Sequence, residues 1–348
     1  MRNRILSAIM TLILVISLCP VTARAATEKT WAGVLPAFLT GANALSGYGT
    51  EADPYRISTP MQLAYCIERY NNSYTPKYMV LTADINLSAY LWRNTDKFNA
   101  VLDGQGHTIS GLRLWDDHDP TMPNNESSSL LGSIGTKGVV RNVTIASPTF
   151  YDGGIIIDVG ALAQANQGTV ENCSLVGRFS VDLSSSEESG TSVGGLVGRN
   201  GGTMTECRNY GTVKVVNSSA SVIVGGVAGT NSGTMEYCAS HGPVTAETAA
   251  EALSVIGGVA GELHPTSDGA IMRACANSGA VPGGNMSRAG GIVGSEYSNS
   301  GSYTAAVNDC HNSGAVTGHQ YVGGVAGFVQ GGTVRFYQCG SSGTVFAA

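Results

Sequence analysis

Short apolar segments of Val, Ile, Leu and Ala alternate with Gly, Ser, Asn and Thr along most of this chain. Segments of this length, bounded by turn-forming residues, are typical of β-strands. One apolar segment recurs as a pentad with glycines at both ends, after a degenerate copy that begins at Gly160. The five complete pentads begin at Gly194, Gly225, Gly257, Gly290 and Gly323, and the six starts are 34, 31, 32, 33 and 33 residues apart. This regular spacing identifies a repeat protein.

Each repeat continues in the same way after its pentad. A second apolar segment ends in cysteine, and five copies then read Gly-x-Val. The cysteines at this position are Cys173, Cys207, Cys238, Cys275, Cys310 and Cys339. One unit of three short strands cannot bury its own apolar face, whereas stacked units can. The repeats therefore predict an all-β, right-handed parallel β-helix with three-strand coils of about 32 residues, because crossovers between parallel strands prefer that hand.

A different pattern precedes the repeats. Thr59-Pro60-Met61-Gln62 places a capping residue before a helix, Pro at its first position and Gln at its third. This is a capping box. Apolar residues follow at helical spacing, with Leu63, Cys66 and Ile67 among them. We expect a short amphipathic helix that covers the open end of the first coil, because an exposed strand edge templates aggregation.

The repeat unit resembles the GLUG motif, in which Gly-Gly-(Leu/Val/Ile)-(Val/Ala)-Gly is followed by a cysteine-containing strand and Gly-x-Val. Residues 47–58, 83–87 and 102–112 are similar to the first coils of proteins with this motif. Such repeats occur in bacterial exported and surface proteins, including regions beside the catalytic part of streptococcal IgA-specific metallopeptidases. The resemblance covers roughly residues 47–348 and implies an architecture and a surface location, but no particular activity.

The N-terminus has the three parts of a secretory signal peptide. Arg2 and Arg4 precede an apolar run that extends to Cys19, and Ala23-Arg24-Ala25 offers a small-x-small cleavage site. A membrane anchor and lipidation at Cys19 are the alternatives. We therefore divide the chain into a signal peptide (1–25), a lead-in (26–46), an N-terminal cap with the first coils (47–128) and the GLUG-like repeats (129–348). The expected location is secreted or on the cell surface, without membrane association after cleavage.

The amino-acid composition restricts the class of partner that this chain can bind. The 348 residues include 47 Gly, only 13% are charged, and the net charge is −6. Low charge with 43% apolar residues is unlike a disordered chain. The acidic balance and the lack of a basic run argue against nucleic acid as the partner. No cofactor-binding motif follows a strand, so the sequence predicts no cofactor.

The repeated cysteines allow two interpretations. Stacked coils lie about 4.8 Å apart, within the Cα range of a disulfide. However, parallel neighbours in register point their Cβ atoms the same way, and the mature chain would hold seven cysteines, an odd number. A column of reduced cysteines in the interior is therefore the favoured interpretation, with bridging or a metal site as alternatives.

Candidate chemistry is sparse. The His-Glu-x-x-His motif of the metallopeptidases is absent. Asp96, in Asn94-Thr95-Asp96, precedes Asp116 and Asp117, and paired carboxylates of this order could cleave a glycosidic bond. Asp116, Asp117 and Asp119 could instead hold calcium, since hard cations take clustered oxygens. The third interpretation is a solvated loop without function.

The function that these observations favour is non-catalytic. We expect an exported module that binds or displays, through corner loops or stacked side chains, with a glycan or a surface protein as partner. The alternatives are a carbohydrate-active β-helix enzyme and a purely structural stalk of a larger surface protein. Aromatic residues of the N-terminal part, such as Trp92 and Tyr48, could contact a ligand or fill the early coils. End-to-end self-association through the C-terminal coil is a further expectation.

Overall fold

A computed structural model describes twelve stretches of the chain, and the description below refers to these alone. They are residues 29–30, 39–70, 76–92, 97–115, 128–151, 158–183, 190–216, 220–249, 252–266, 269–298, 303–330 and 333–347. The predicted signal peptide and most of the predicted lead-in lie outside them.

The described residues form a parallel β-solenoid, as the repeats predict. Each strand pairs in parallel with the equivalent strand of the coil before and the coil after it, and each full coil contributes one short strand to each of five stacked sheets. We number the sheets 1 to 5 along the coil, starting at the strand that enters the pentad. One continuous hydrophobic core runs through the whole stack.

The first two sheets flank the pentad. Sheet 1 consists of Asp158–Gly160, Thr191–Gly194, Val222–Gly225, Ser254–Gly257, Ser287–Gly290 and Tyr321–Gly323. Sheet 2 consists of Lys97–Phe98, Ser133–Ile134, Ala163–Asn166, Val197–Asn200, Ala228–Asn231, Ala260–Leu263, Val293–Tyr297 and Ala326–Gln330.

The next two sheets flank the cysteine. Sheet 3 consists of Tyr55–Ile57, Tyr78–Leu81, Val101–Asp103, Val139–Arg141, Thr169–Glu171, Thr203–Thr205, Thr234–Glu236, Ala270–Arg273, Thr304–Asn308 and Thr333–Tyr337. Sheet 4 consists of Ile85–Asn86, Thr108–Ser110, Thr144–Ala146, Ser174–Val176, Arg208–Asn209, Ala239–Ser240, Ala276–Asn277, His311–Asn312 and Gly340–Ser341.

Sheet 5 contains the Gly-x-Val segments. It consists of five paired strands, Arg113–Trp115, Thr149–Tyr151, Arg178–Asp182, Thr212–Val216 and Val244–Glu247, and of three that pair separately, Val281–Pro282, Val316–Gly318 and Val345–Ala347. Outside the coils, Lys29–Thr30 pairs with Tyr90–Leu91, and Gly41–Asn43 forms a 3-10 turn. Two of the three apolar segments read from the sequence are thus each split into two strands by a two-residue bend, and the Gly-x-Val segment forms a single strand.

The capping helix is present and has the predicted start. It spans Pro60–Tyr70 and directly follows the edge strand of sheet 3. Thr59 Oγ1 accepts from the amide of Gln62 at 3.3 Å, and Gln62 Oε1 accepts from the amide of Thr59 at 3.2 Å. This reciprocal pair is a capping box. Leu63, Cys66 and Ile67 are buried and join the core at this end of the solenoid.

The pentad forms a sharp bend between sheets 1 and 2. Its first glycine ends a strand of sheet 1, and its last two residues begin a strand of sheet 2. A Cβ atom at Gly225 would overlap the carbonyl oxygen of Ala228 and lie 2.6 Å from the amide nitrogen of Gly261 in the next coil. The backbones on the two sides of the bend approach so closely that no side chain fits. This close approach explains the recurrence of glycine.

A second bend separates sheet 3 from sheet 4, immediately before each cysteine. Its corner residue has a left-handed backbone although it is not glycine, as at Tyr237 (φ 55°) and Ala274 (φ 51°). The amide of Tyr237 donates to the carbonyl of Arg273 at 2.9 Å, and that of Ala274 to Asn308 at 3.0 Å. Because these amides bond to the next coil, the strained conformation is held by the stack.

Candidate functional site

The carboxylates that the sequence singles out lie outside the described residues. This holds for Asp96, Asp116 and Asp117, the candidates for glycosidic cleavage, and for Asp119 of the candidate calcium turn. Among the residues that are described, no group of three or more His, Cys, Asp or Glu could hold a metal ion. The predicted catalytic and calcium sites therefore stay predictions.

Two of the predicted N-terminal aromatic contacts have contrasting environments. Trp92 is buried, and its Nε1 donates to the carbonyl of Leu130 at 2.8 Å. It therefore fills the early coils. Tyr48 is 79% exposed. Tyr55 is partly buried, and its ring stacks on that of Tyr70 with 4.9 Å between the centroids. Of these residues only Tyr48 offers most of its ring to a ligand.

The repeated cysteines form the interior column that the sequence predicts. All of them are free thiols, and those from Cys173 to Cys310 are buried. The thiol of Cys238 lies 3.6 Å from the carbonyl oxygen of Met204 in the previous coil and 3.4 Å from that of Glu236. Burial and the neighbouring Cys207 raise the pKa of Cys173, and burial raises the pKa of Cys66 to about 12. Protonated, buried thiols are poor nucleophiles. Hydrogen bonds with Cys238 and Cys310 lower the pKa of Cys275 instead, and that thiol is equally buried.

The residues beside these cysteines form an exposed lattice. Since Cys faces inward, the corner residue before it and the first and third residues after it face outward. In four successive coils these residues are Glu206, Arg208 and Tyr210; Tyr237, Ala239 and His241; Ala274, Ala276 and Ser278; and Asp309, His311 and Ser313. We call them the sheet-4 outer face.

Two tyrosine rings on this face are partly exposed to solvent. Tyr210 and Tyr237 are each 53% exposed. The ring of Tyr210 stacks on His241 of the next coil, with centroids 5.1 Å apart and planes inclined by 14°. His241 Nδ1 in turn lies 2.9 Å from Ser278 Oγ. The stack therefore continues over three coils as ring, ring and hydroxyl.

The middle column of the sheet-4 outer face, formed by the first residue after each cysteine, contains small side chains. Ala239 and Ala276 follow each other there, with Arg208 at one end and His311 at the other. Arg208 Nη1 donates to the carbonyl of Glu206 at 2.9 Å, which holds the guanidinium against the corner. Small side chains therefore lie between the ring column and the corner residues of this face.

Charges near the face are mostly acidic or internally paired. Glu206 and Asp309 are exposed at the corner, and Arg273 pairs with Glu236 at 3.3 Å. In an earlier coil, Asp103 accepts hydrogen bonds from Asn142 and Arg141 at 3.0 and 2.9 Å. Burial alone would raise the pKa of Asp103, but these bonds and the amide of Gln105 hold it below its usual value. The field around the lattice does not favour an anionic ligand.

A second feature runs along the glycine bend, and it is buried except near its end. The outer sides of sheets 1 and 2 face each other there, and we call the space between them the outer groove. Asp158 Oδ2 and Oδ1 accept from Nε and Nη2 of Arg199 across it, both at 3.2 Å. One coil further, Ser192 Oγ and Thr230 Oγ1 are 2.8 Å apart. In this part the groove is closed by its own polar side chains.

The same groove ends in an aromatic contact. Arg288 of sheet 1 places its guanidinium carbon 4.0 Å from the ring centroid of Phe328 and 6.0 Å from that of Tyr321. The two rings are 4.6 Å apart, and Tyr321 is 45% exposed. Arg288 has no carboxylate partner among the described residues, and its buried Nε lacks a hydrogen-bond acceptor there.

Sequence reasoning missed both surfaces, although one could have been found. Once Cys is assigned to the interior, counting three residues onward selects Tyr210 and His241 as outward neighbours. The outer groove could not be identified from the sequence, because the sequence does not reveal that the pentad bends inward. Arg288 and Phe328 are 40 residues apart and meet only through that bend.

Searches against known proteins give relatives but no family. No family model matches the chain. It is 30% identical over 165 residues to halomucin of Haloquadratum walsbyi, covering 44% of this chain and 2% of that protein. It is 27% identical over 192 residues to a provisionally named Gly-rich membrane protein of Evansella cellulosilytica, covering 46% of this chain and 21% of that protein. The chain thus corresponds to a small part of either relative.

One solved structure is similar over most of its length. It is a Bacteroides ovatus protein provisionally described as an immunoglobulin A1 protease, with a TM-score of 0.58 and 18% identity. The match covers 89% of this chain and 88% of that one. At this identity the likeness shows the fold alone. In the part of this chain that the structure describes, no helix is both long and apolar enough to span a membrane.

Proposed function

We propose that this chain is an exported, surface-displayed β-solenoid module that binds a neutral glycan without cleaving it. The binding surface would be the sheet-4 outer face. The observation that carries the proposal is the continuous stack of Tyr210, His241 and Ser278 beside a floor of alanines. Half-exposed rings next to hydroxyl and imidazole groups suit a ligand that has both apolar C–H groups and hydroxyls.

The geometry favours an extended chain that lies along the solenoid axis. Equivalent positions recur with each coil, about 4.8 Å apart, a step similar to the length of one sugar unit in a flat, equatorially linked pyranose chain. Consecutive sugars could then meet equivalent positions on consecutive coils. The exposed carboxylates of Glu206 and Asp309 would repel an acidic polymer, so we assign a neutral one.

A surface location is supported by the N-terminal signal pattern and by one relative that is named as a membrane protein. The non-catalytic assignment is supported by the absence of a complete catalytic motif from the sequence. It leaves Asp96, Asp116 and Asp117 as the residues that an enzyme of this architecture would use.

A glycan array probed with residues 26–348 tests the proposal. We expect binding to neutral, extended glycans, and binding about 30-fold weaker for Tyr210→Ala and for Tyr237→Ala, since losing an aromatic anchor at a binding hot spot costs about 2 kcal/mol. Tyr48→Ala removes a more exposed tyrosine ring (79%) elsewhere and is the control.

Four results would count against the proposal. Silence across the array would favour the structural stalk. Binding that neither tyrosine variant weakens would place the ligand elsewhere, and a calcium requirement would direct attention to Asp116, Asp117 and Asp119. Cleavage of a bound polysaccharide that disappears in Asp96→Asn would establish the enzyme instead.

A further inference from the structure

The outer groove contains two arginines with different partners. Arg199 forms an ion pair with Asp158, whose carboxylate accepts hydrogen bonds from both Nε and Nη2. Arg288 stands on the opposite wall, four coils further along sheet 1 than Asp158. Its guanidinium packs on Phe328, and none of the described carboxylates reaches it. In this groove Arg199 therefore has an anionic partner, whereas Arg288 contacts aromatic rings only.

This arrangement leaves part of the binding capacity of Arg288 unused. A guanidinium has five N–H donors in a fork that matches a carboxylate. Contact with the face of Phe328 stabilises the charge but satisfies none of these donors. The buried Nε is without an acceptor, and such a group is costly to leave unpaired. An incoming carboxylate at the open edge of the fork would add charge-assisted hydrogen bonds.

The neighbouring ring suggests what carries that carboxylate. Tyr321 is 45% exposed and lies at the same end of the groove, with its ring 6.0 Å from the guanidinium. A uronic acid combines both complementary groups in one unit: a carboxylate for Arg288 and a pyranose ring whose C–H face can pack on Tyr321. An acidic side chain of a peptide has the carboxylate but no ring beside it.

We propose that Arg288, Tyr321 and Phe328 form a subsite for a uronic acid residue of an acidic polysaccharide. Phe328 positions the guanidinium, Arg288 binds the carboxylate and Tyr321 packs against the sugar. Two acidic residues of sheet 2 precede Phe328. Glu296, one coil before, is buried and accepts from the amide of Gln330. Glu262 lies two coils before Phe328, about 10 Å away at the usual strand spacing. At that distance its repulsion is largely screened at physiological salt. The subsite is separate from the sheet-4 outer face, so neither proposal depends on the other.

Isothermal titration of residues 26–348 with trigalacturonate tests the subsite, and its methyl ester is the matched ligand. Both have the same sugar rings, but only the acid has carboxylates. We expect the ester to bind at least about tenfold more weakly than the acid, the loss typical of one charge-assisted hydrogen bond. Because this comparison uses the unaltered protein, it does not depend on how a variant folds.

Variants then locate the site. Arg288→Gln should weaken trigalacturonate binding at least about tenfold, while Arg288→Lys, which keeps the charge but not the fork, should fall between that variant and the wild type. Arg335→Gln changes an exposed arginine of sheet 3 and should bind like the wild type. Circular dichroism verifies that each variant is folded.

Other outcomes overturn the assignment. Equal binding of acid and ester, equal binding by Arg288→Gln, or no binding of trigalacturonate would each refute a carboxylate subsite. If a glutamate-containing peptide or inorganic phosphate binds as tightly as trigalacturonate and competes with it, Arg288 recognises anions without the sugar, and the uronic acid assignment is wrong.

Discussion

Replacing Cys238 with aspartate tests the register of the whole stack. The side chain is fully buried, and its sulfur faces the carbonyl oxygens of Met204 and Glu236 at 3.6 and 3.4 Å. A thiol can donate to either oxygen, whereas a carboxylate would present negative charge to both. Burial raises the pKa of a carboxyl by up to about 3–5 units, so the aspartate would remain protonated near neutral pH.

The loss of folding stability follows from the difference between the folded and unfolded pKa of the introduced carboxyl group. An aspartate in the unfolded chain titrates near 3.9, and each pH unit above that value costs about 1.4 kcal/mol while the folded group stays protonated. At pH 7 the penalty is about 4 kcal/mol, and at pH 5 about 1.5 kcal/mol. Because the folded pKa is raised, stability returns as the pH falls. A loss of about 4 kcal/mol is a large part of the total stability of a typical domain.

Urea denaturation followed by circular dichroism at pH 7 and pH 5 measures this effect. Cys238→Asn has nearly the same shape without the charge, so the difference between the Asp and Asn variants isolates the carboxylate. Tyr237→Asp introduces the same charge one residue earlier at an exposed corner and should unfold at almost the wild-type midpoint. If Cys238→Asp and Tyr237→Asp have the same midpoint at pH 7, the cysteine faces solvent and the register is wrong.

Three further predictions concern the glycine bend, the half-buried ion pair of Asp103 and Arg141, and assembly. Gly225→Ala should destabilise the fold by about 2–3 kcal/mol, because the new methyl group meets only backbone atoms. Gly284→Ala, with nothing within 4 Å, should leave the melting temperature nearly unchanged; equal effects would contradict the close approach. The lowered pKa of Asp103 predicts stability that is present above its unfolded pKa of about 3.9 and is lost as the pH falls through the folded pKa. Asp103→Asn should show a flatter decline of the urea midpoint below pH 5, and an unchanged decline would refute this. Self-association through residues 333–347 stays a prediction, supported by the exposure of Phe346 (59%); sedimentation that shows a monomer at all concentrations would exclude it.

The sequence predicted the features that depend on local chemistry or on strict repetition. The capping box of Thr59 and Gln62 could be identified from four adjacent residues, because its two hydrogen bonds are local. The cysteine column followed from the repeat, because equivalent positions of stacked coils share a direction. The parallel solenoid itself followed from the same argument.

The features that the sequence did not predict are those that depend on how the coil bends. The pentad glycines indicate a tight bend but not that it turns toward the core, so the outer groove and the contact of Arg288 with Phe328 could not be anticipated. The left-handed corner at Tyr237 was equally hidden, because the residue type disfavours that conformation and the next coil enforces it. The acidic candidates near Asp116 lie outside the described residues and remain open to experiment.

The thiols of this fold also determine which compartments it can pass through. The cysteines of the described stretches are free and are held by packing, so the covalent structure of that part of the solenoid does not change between a reducing cytoplasm and an oxidising exterior. Secreted domains that are stapled by disulfides need an oxidant and time to rearrange their bridges. This solenoid can complete its coils in a reducing or an oxidising compartment, and added reductant should leave its melting temperature unchanged.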